Sequence, residues 1–574
     1  MKKFILFAGA LLGSVASNAQ SANPGYLDIN NIKAKVNADG SLFWDFANGK
    51  FEAPKGSGRH TIFANALWVG GFDASNALKV AGQTYRQTGT DFWPGPLNSL
   101  AIIDSATIAD FDRVWKLNQC DIEAFNNWVL SGSTGVNPID SAANEAIMNW
   151  PTLTPDGAPL APFNDANTNG VYEPLAGDVP LIKGDQSIFF VCNDKGGIHG
   201  ETGGTAIGLE FQVMVYGYSC PDDSALYNTI FTNYKIINKS SFRLDSAFIG
   251  NWTDFDIGSP TDDFVGCDVT RGAYYAYNGD MVDDFPPAGL LAYGANPPAQ
   301  AVTFLAGPYA TANGVDDLAS STANGTNYGD GITDNERLGM SKFMYFNNDG
   351  SVTGNPSGAL DFYNYLSGTW RDATPMTYGG TGHLTGVPCD YMLPATSDPL
   401  GFGTNGVPQP AWDETTTGNL PGDRRGLGSY GPFTFQPGAV HELDFAYVYA
   451  RATSGGNLAS VTVMQERIDS IRQKFNGPMT ACGCSISAGI TNSSNEILFT
   501  IYPNPATENI TVQFTTGIKN GDARIYDAKG KMVRNISAVN SDEQIISLTG
   551  LENGLYLITV NNGKSLSTKR FIKQ

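Results

Sequence analysis

Residues 164–174 read NDANTNGVYEP. Asp165, Asn167 and Asn169 stand at alternate positions, followed by Gly170, where the chain must turn sharply. Val171 offers a backbone carbonyl and Glu173 a carboxylate. This is the opening of an EF-hand-type loop, in which hard oxygen donors at alternate positions surround Ca2+. Ala176 stands where such a loop carries its bidentate Glu, so the last ligand is expected from Asp178. The expected cofactor is therefore Ca2+, held by Asp165, Asn167, Asn169, Val171, Glu173 and Asp178. The same residues also make an Asx-rich turn that needs no ion.

Two further stretches concentrate oxygen donors. DFDIGSPTDD supplies Asp254, Asp256, Asp262 and Asp263, and NYGDGITDNE supplies Asn327, Asp330, Asp334 and Glu336. Each can rigidify a loop around a cation, and each also reads as a solvated turn. Catalytic signatures are lacking. The four histidines, His60, His199, His383 and His441, form no H-E-x-x-H, and no G-x-S-x-G nucleophile elbow occurs. GETGGTAIG is glycine-rich but has no P-loop Lys-Ser/Thr pair. A carboxylate pair for glycoside hydrolysis cannot be picked out of 56 Asp and Glu residues, so no catalytic residue is assigned.

The elements that must position these groups read mostly as strands. SLFWDF, RVWKLN and the first part of TIFANALWVGGFD carry aromatic and β-branched residues, the last turning at Gly70-Gly71 into a second strand. Between Gln186 and Leu291, five more runs alternate with Asn/Asp/Gly turns. From Pro297 to Leu420 the chain is rich in Gly, Asn, Asp and Pro, and little regular structure is expected until HELDFAYVYAR. Helices are expected where Ile122, Phe125, Trp128 and Val129 fall at helical spacing and at SAANEAIMNWP. A longer one has Leu458, Val461, Met464, Ile468, Ile471 and Phe475 on one face and stops at Gly477-Pro478.

Bulk composition sets limits. Aromatics make 11% of the chain and charged residues only 16%, with 66 Gly and 31 Pro; this is a β-rich, loop-heavy profile rather than a disordered one. MKK followed by FILFAGALLGSVA and SNAQ has the order of a secretory signal peptide, expected over residues 1–20. No later segment approaches the ~20 apolar residues of a membrane-spanning helix. The net charge is −21; residues 497–574 carry about +3 and the body about −26. An acidic body excludes nucleic acid as a partner, because phosphates need cations. Export permits disulfides among the seven cysteines. Cys482 and Cys484 are too close for an ordinary mutual bridge, so each is expected to pair with a distant partner or one to stay free.

The last seventy-five residues alternate cleanly. Ile510, Val512 and Phe514 share one face, as do Leu555, Leu557 and Thr559, and a hairpin is expected around Ala528-Lys529-Gly530. About seven short strands make a small β-sandwich. Four blocks in order, YPNPATENITV, ARIYDAKGKMV, LTGLENGLYLITV and STKRFIK, resemble the type A C-terminal sorting domain of the Bacteroidetes type IX (Por) secretion system. The resemblance implies a secretion address recognised by the outer-membrane machinery of that system, with Tyr502, Pro503, Asn504, Pro505, Gly554, Tyr556 and Lys569 as its signal residues. It also implies passage through the periplasm to the medium or the outer surface, and removal of the domain on the way. The body resembles large exported proteins of the same phylum, which brings no activity with it.

The expected organisation is a signal peptide at 1–20, a β-rich sandwich-like body with a few helices at 21–485, a linker at 486–496 and the sorting domain at 497–574. Two functions follow. A calcium-stabilised surface interaction or structural protein, with a glycan or surface protein as partner, is expected to lack a convergent polar pocket. An extracellular carbohydrate-active hydrolase is expected to have a cleft with two carboxylates, or a His–carboxylate pair, in a groove lined by some of the nine Trp. The aromatics of 94–115 and 370–378 are the first candidates for that groove.

Overall fold

Runs of β-branched and aromatic residues bounded by Gly, Asn and Asp build two large antiparallel sheets. The structure, a computed structural model, describes residues 24–86, 89–477, 479–483, 499–514, 521–527, 531–539, 543–561 and 566–574. The expected signal peptide and linker, with Cys484, lie outside these residues. The chain divides into two compact units, Met1–Cys484 and Ser485–Gln574.

In the first unit, one eight-stranded sheet runs Gly25–Leu27, Lys33–Val36, Phe51–Glu52, His60–Phe72, Leu244–Phe255, Arg424–Phe435 and Lys342–Asn347, with Leu78–Gly82 beside His60–Phe72. The second has nine strands. Its centre is Ala299–Ala306, Val440–Ala450, Thr229–Asn238, Leu209–Gly217 and Gln186–Asn193. The main core lies between them and takes Trp252, Phe255 and Tyr430 from one sheet and Phe190, Phe211 and Tyr447 from the other. A polar network crosses this core. Asn65 Nδ2 donates to Asn251 Oδ1 (2.6 Å) and Thr253 Oγ1 (2.8 Å), and Asn251 Nδ2 donates to Tyr447 Oη (2.9 Å). Tyr447 Oη returns to Asn65 Oδ1 (2.9 Å). Buried groups so satisfied fix the register of the two sheets.

The outer face of the second sheet is covered by helices. Gly456–Phe475 packs Met464, Ile468 and Ile471 against Phe231, Ala301 and Val448. Leu458, expected on the same face, is exposed, because it lies about 120° around the helix axis from Met464, while Asn457 and Ser460 of the same turn take the buried positions. Gln119–Leu130 and Ser141–Met148 cover Trp115, Phe189 and Met214. Cys220 and Cys482 form a disulfide, Cys120 is also disulfide-bonded, and Cys192, Cys267 and Cys389 are free and buried.

Three sequence expectations are corrected here. Gly70 and Gly71 lie inside the thirteen-residue strand His60–Phe72 rather than in a turn. They are glycine because a Cβ would come 3.0 Å from the Tyr363 ring and 3.2 Å from the Ala247 backbone. SLFWDF is not a strand: Leu42 and Trp44 make single bridges, and Phe43 and Phe46 have φ of +69° and +68°. The stretch 297–420 contains the core strands Ala299–Ala306 and Lys342–Asn347 and the helix Ala359–Leu366.

The second unit is mainly β as well. Phe499–Tyr502, Asn509–Phe514 and Glu543–Ser547 form one sheet. Met532–Val539, Gly521–Asp527, Gly554–Asn561 and Leu566–Lys573 form the other. Ile510, Val512 and Phe514 are buried. In Gly554–Asn561 the buried face is Tyr556, Ile558 and Val560, while Leu555 and Leu557, which share the other face, point outward. Alternation cannot tell the two faces of a strand apart when both are apolar.

Candidate functional site

The loop expected to hold calcium folds tightly on its own polar groups. Asp165 accepts from the backbone N–H of Asn169 (3.2 Å) and Gly170 (2.6 Å). Asn167 Oδ1 accepts from Asn169 N (3.0 Å), and Asn169 Oδ1 from Val171 N (2.8 Å). Gly170 turns at φ +77°. Glu173 accepts from the side-chain amides of Asn169 (2.7 Å) and Asn167 (3.4 Å). Asp178 is buried and clasps both ends of the loop, accepting from Ala166 N (2.9 Å) and Glu173 N (2.7 Å). The donor set of carboxylate and amide oxygens fits Ca2+ chemistry, and Asp165, Asn167, Asn169 and Glu173 stand together on one exposed loop. The NYGDGITDNE residues are engaged in the same manner: Asp334 accepts from Asn313 N and Gly314 N, and Glu336 from Asp317 N.

Asp254 and Asp256 go elsewhere, to the floor of a cleft of about 570 Å3. Asp254 lies near the end of Leu244–Phe255, directly opposite Arg425 on the neighbouring strand, which in turn faces Phe346. Trp252, two residues earlier, lies on the same face of the sheet. Tyr85, after the strand Leu78–Gly82, forms one wall with Phe63, and the irregular segment with positive φ presents Trp44 and Phe46. Non-glycine residues persist in that conformation only where the surroundings over-determine them.

The floor is tightly connected. Tyr85 Oη donates to Asp254 Oδ2 at 2.6 Å, and Arg425 Nε donates to Tyr85 Oη at 2.8 Å. Arg425 also pairs with Asp423, and its Nη2 reaches Asp254 Oδ2 at 3.3 Å. One carboxylate oxygen from each of Asp254, Asp256 and Asp423 lies within 4.8 Å of the others. Burial pushes the Asp254 carboxyl well above the usual carboxylate range, with Arg425 opposing and Asp256 and Asp423 adding. Burial, with Asp423 adding, does the same to Asp256. His60 Nε2 lies 3.6 Å from Asp256, and burial lowers that imidazole to about 4, so it is neutral. The indole N–H groups of Trp44 and Trp252 and the Oδ1 of Asp254 are buried and make no hydrogen bond among the described residues. An aromatic wall over a floor of carboxyls and a guanidinium can hold a hydroxyl-rich ligand.

This cleft departs from the expectation attached to the interaction reading, which foresaw no convergent polar pocket. Its aromatics are not those singled out: Trp115 lies beneath the helices over the second sheet, and Trp370 is wholly buried. Of the cleft residues, sequence reading named Asp254 and Asp256 as a cation loop and missed Trp44, Phe46, Tyr85, Asp423 and Arg425. Only strand register brings Arg425 across 171 positions to Asp254, and no local spacing encodes that. His199 and Glu201, two positions apart in the chain, separate. The His199 ring lies between the carbonyls of Val80 (2.8 Å) and Asp194 (2.7 Å), while Glu201 lines the cleft.

In the second unit the Tyr502–Pro505 turn is fastened to the terminal strand. Asn504 Oδ1 accepts from Ile572 N (2.9 Å), Ala506 N donates to Ile572 O (2.8 Å), and Gln574 N donates to Ala506 O (2.8 Å). Tyr502, Pro503 and Pro505 are exposed, with Tyr502 Oη donating to Gln513 (3.2 Å). Gly554 opens the strand on which Tyr556 stacks against Phe571 at 5.6 Å, and Lys569 Nζ lies 5.6 Å over the Phe499 ring.

No curated protein matches the chain. Among solved structures, a DUF3244 family protein with an immunoglobulin-like β-sandwich fold from Bacteroides vulgatus is similar at 21% identity, with a TM-score of 0.12. That match covers 13% of this chain and 84% of the other. A polysaccharide lyase is similar at 7% identity and a TM-score of 0.19, the match covering 72% of this chain and 38% of the lyase. Among the described residues no helix is long and apolar enough to cross a membrane. The family model of the secretion system C-terminal sorting domain matches residues 500–574. Residues 500–574 are thus a type IX secretion C-terminal sorting domain, and they direct the protein to the cell surface or the extracellular space.

Proposed function

We propose that the exported body is a calcium-stabilised surface interaction protein that binds a glycan in the Asp254–Arg425 cleft. The cleft carries this reading. Its volume suits a few sugar rings, its walls offer Trp44, Phe46, Phe63 and Tyr85, and its floor offers Asp254, Asp256 and Asp423 beside Arg425. Isothermal titration of neutral oligosaccharides with the full chain tests it. Binding is expected, with Phe46→Ala weakening it about tenfold, equal to ~1.4 kcal/mol. Failure of a broad oligosaccharide panel to bind would count against the reading.

A second reading, an extracellular glycoside hydrolase, is favoured by the raised carboxyls of Asp254 and Asp256 lying side by side. Neighbouring carboxyls with raised pKa supply general acids at neutral pH. Release of reducing ends from bound oligosaccharides, lost in Asp256→Asn with binding retained, would establish it. Binding without turnover would leave the first reading alone.

A further inference from the structure

A second pocket, of about 500 Å3, has the opposite character. It is lined by Arg451 and Arg467 together with Asn31, Asn228, Asn296 and Tyr449. In a body carrying about −26, a buried or half-buried guanidinium ordinarily finds a carboxylate, as Arg425 does. These two do not: neither lies within ion-pair distance of a carboxylate among the described residues. Arg451 gives Nε to the Asn296 carbonyl (2.8 Å) and Nη2 to the carbonyls of Tyr293 (2.9 Å) and Ala295 (3.0 Å). Arg467 gives one Nη to the Tyr449 carbonyl. Carbonyls orient a guanidinium but leave its charge unneutralised.

One more donor stands unused: Arg467 Nε is buried and without a hydrogen-bond partner among the described residues. The Tyr449 hydroxyl is held beside Arg451, and Tyr449 is 2% exposed. Burial of Arg467 disfavours its charge, a cost that a bound anion would offset. Arg59 adds a third positive field at Tyr449. Two guanidiniums that line one pocket with no carboxylate beside them are a recognition set for a planar or tetrahedral oxyanion, which accepts several N–H bonds at once.

We propose that this pocket binds an oxyanion group, a carboxylate, sulfate or phosphate carried by a ligand from outside the chain. The site is distinct from the acidic cleft and independent of the glycan reading. The probes are inorganic sulfate, inorganic phosphate and glucuronate, titrated into the full chain at constant ionic strength and followed by calorimetry and thermal melting. Saturable binding of at least one probe is expected, with affinity at least tenfold weaker in Arg451→Gln and in Arg467→Gln. Tyr449→Phe, which keeps the ring, should lower affinity less. Sulfate and phosphate also stabilise proteins by exclusion from the surface, so a rise in melting temperature that is equal in wild type and both arginine variants overturns the proposal. Absence of saturable heat for all three probes on the wild type overturns it as well, whether or not the variants fold. Preference for glucuronate identifies an acidic sugar or carboxylate ligand, and preference for the tetrahedral ions identifies a sulfated or phosphorylated one.

Discussion

At the residue scale, the same side-chain type does different work according to what surrounds it. Asp178 spends both oxygens on backbone N–H groups and closes a loop, whereas Asp254, equally buried, turns its oxygens to the side chains of Tyr85 and Arg425 at the cleft floor. Calcium binding at Asp165, Asn167, Asn169 and Glu173 would stabilise the native state by mass action, by about 2.7 kcal/mol when Ca2+ stands at 100 times its Kd. Chelation is therefore expected to lower the melting temperature, and Asp165→Ala to abolish that difference; an identical melt with and without chelator would rule the site out. Histidine gives a second residue-scale outcome. His441 packs between Phe433 and Phe435 and accepts from Tyr309 N (3.3 Å), and burial lowers it, like His60, to about 4. Between pH 6.5 and 4 the unfolded chain takes up protons at both histidines while the folded chain does not, so stability falls as pH drops through that window. Asp283 opposes this: burial raises it to about 6, and its folded form holds a proton that the unfolded form loses. Denaturant titrations at pH 7 and pH 4.5 should show a smaller acid-side loss in His441→Gln and a larger one in Asp283→Asn.

At the scale of elements, the 456–475 helix shows how periodicity becomes packing. Spacing sets its stripe, and phase within the stripe decides burial: Ile468 stands in line with Met464 and Ile471 and is fully buried, whereas Leu458 stands off that line, beside the buried Asn457, and is 61% exposed. Ile468→Ala is expected to cost about 2–5 kcal/mol in urea unfolding, through lost transfer free energy and the cavity left, and Leu458→Ala to stay within about 0.5 kcal/mol. Equal costs would mean that the helix docks differently.

At the scale of the molecule, the second unit has a core of its own, in which Phe499, Ile510, Ile525, Ile558 and Phe571 pack together. Removal of residues 494–574 is expected to leave the cooperative melt of the body unchanged, and the isolated 494–574 segment to fold with only marginal stability, as its small core implies. Loss of cooperative unfolding in the shortened body would show one shared core. Because the sorting domain acts in export, mass spectrometry of secreted material should find a product lacking that domain; intact tails on the secreted protein would contradict its removal.

The sequence by itself determined the β-rich class, most strands of the second sheet other than Ala299–Ala306, most of the packing stripe of the long helix and the sorting domain. All of these rest on local periodicity or on contiguous motifs such as YPNPATENITV. The tertiary structure alone decided the cleft and the arginine pocket. Asp254 meets Arg425 and Tyr85 because strands far apart in sequence lie side by side, and Arg451 lacks a carboxylate only in the folded arrangement. It also decided which face of Gly554–Asn561 is buried and why Gly70 and Gly71 sit within a strand, since both depend on what approaches from another element. Local chemistry writes the elements into the chain; charge compensation and cavity walls arise between elements, where linear spacing carries no information.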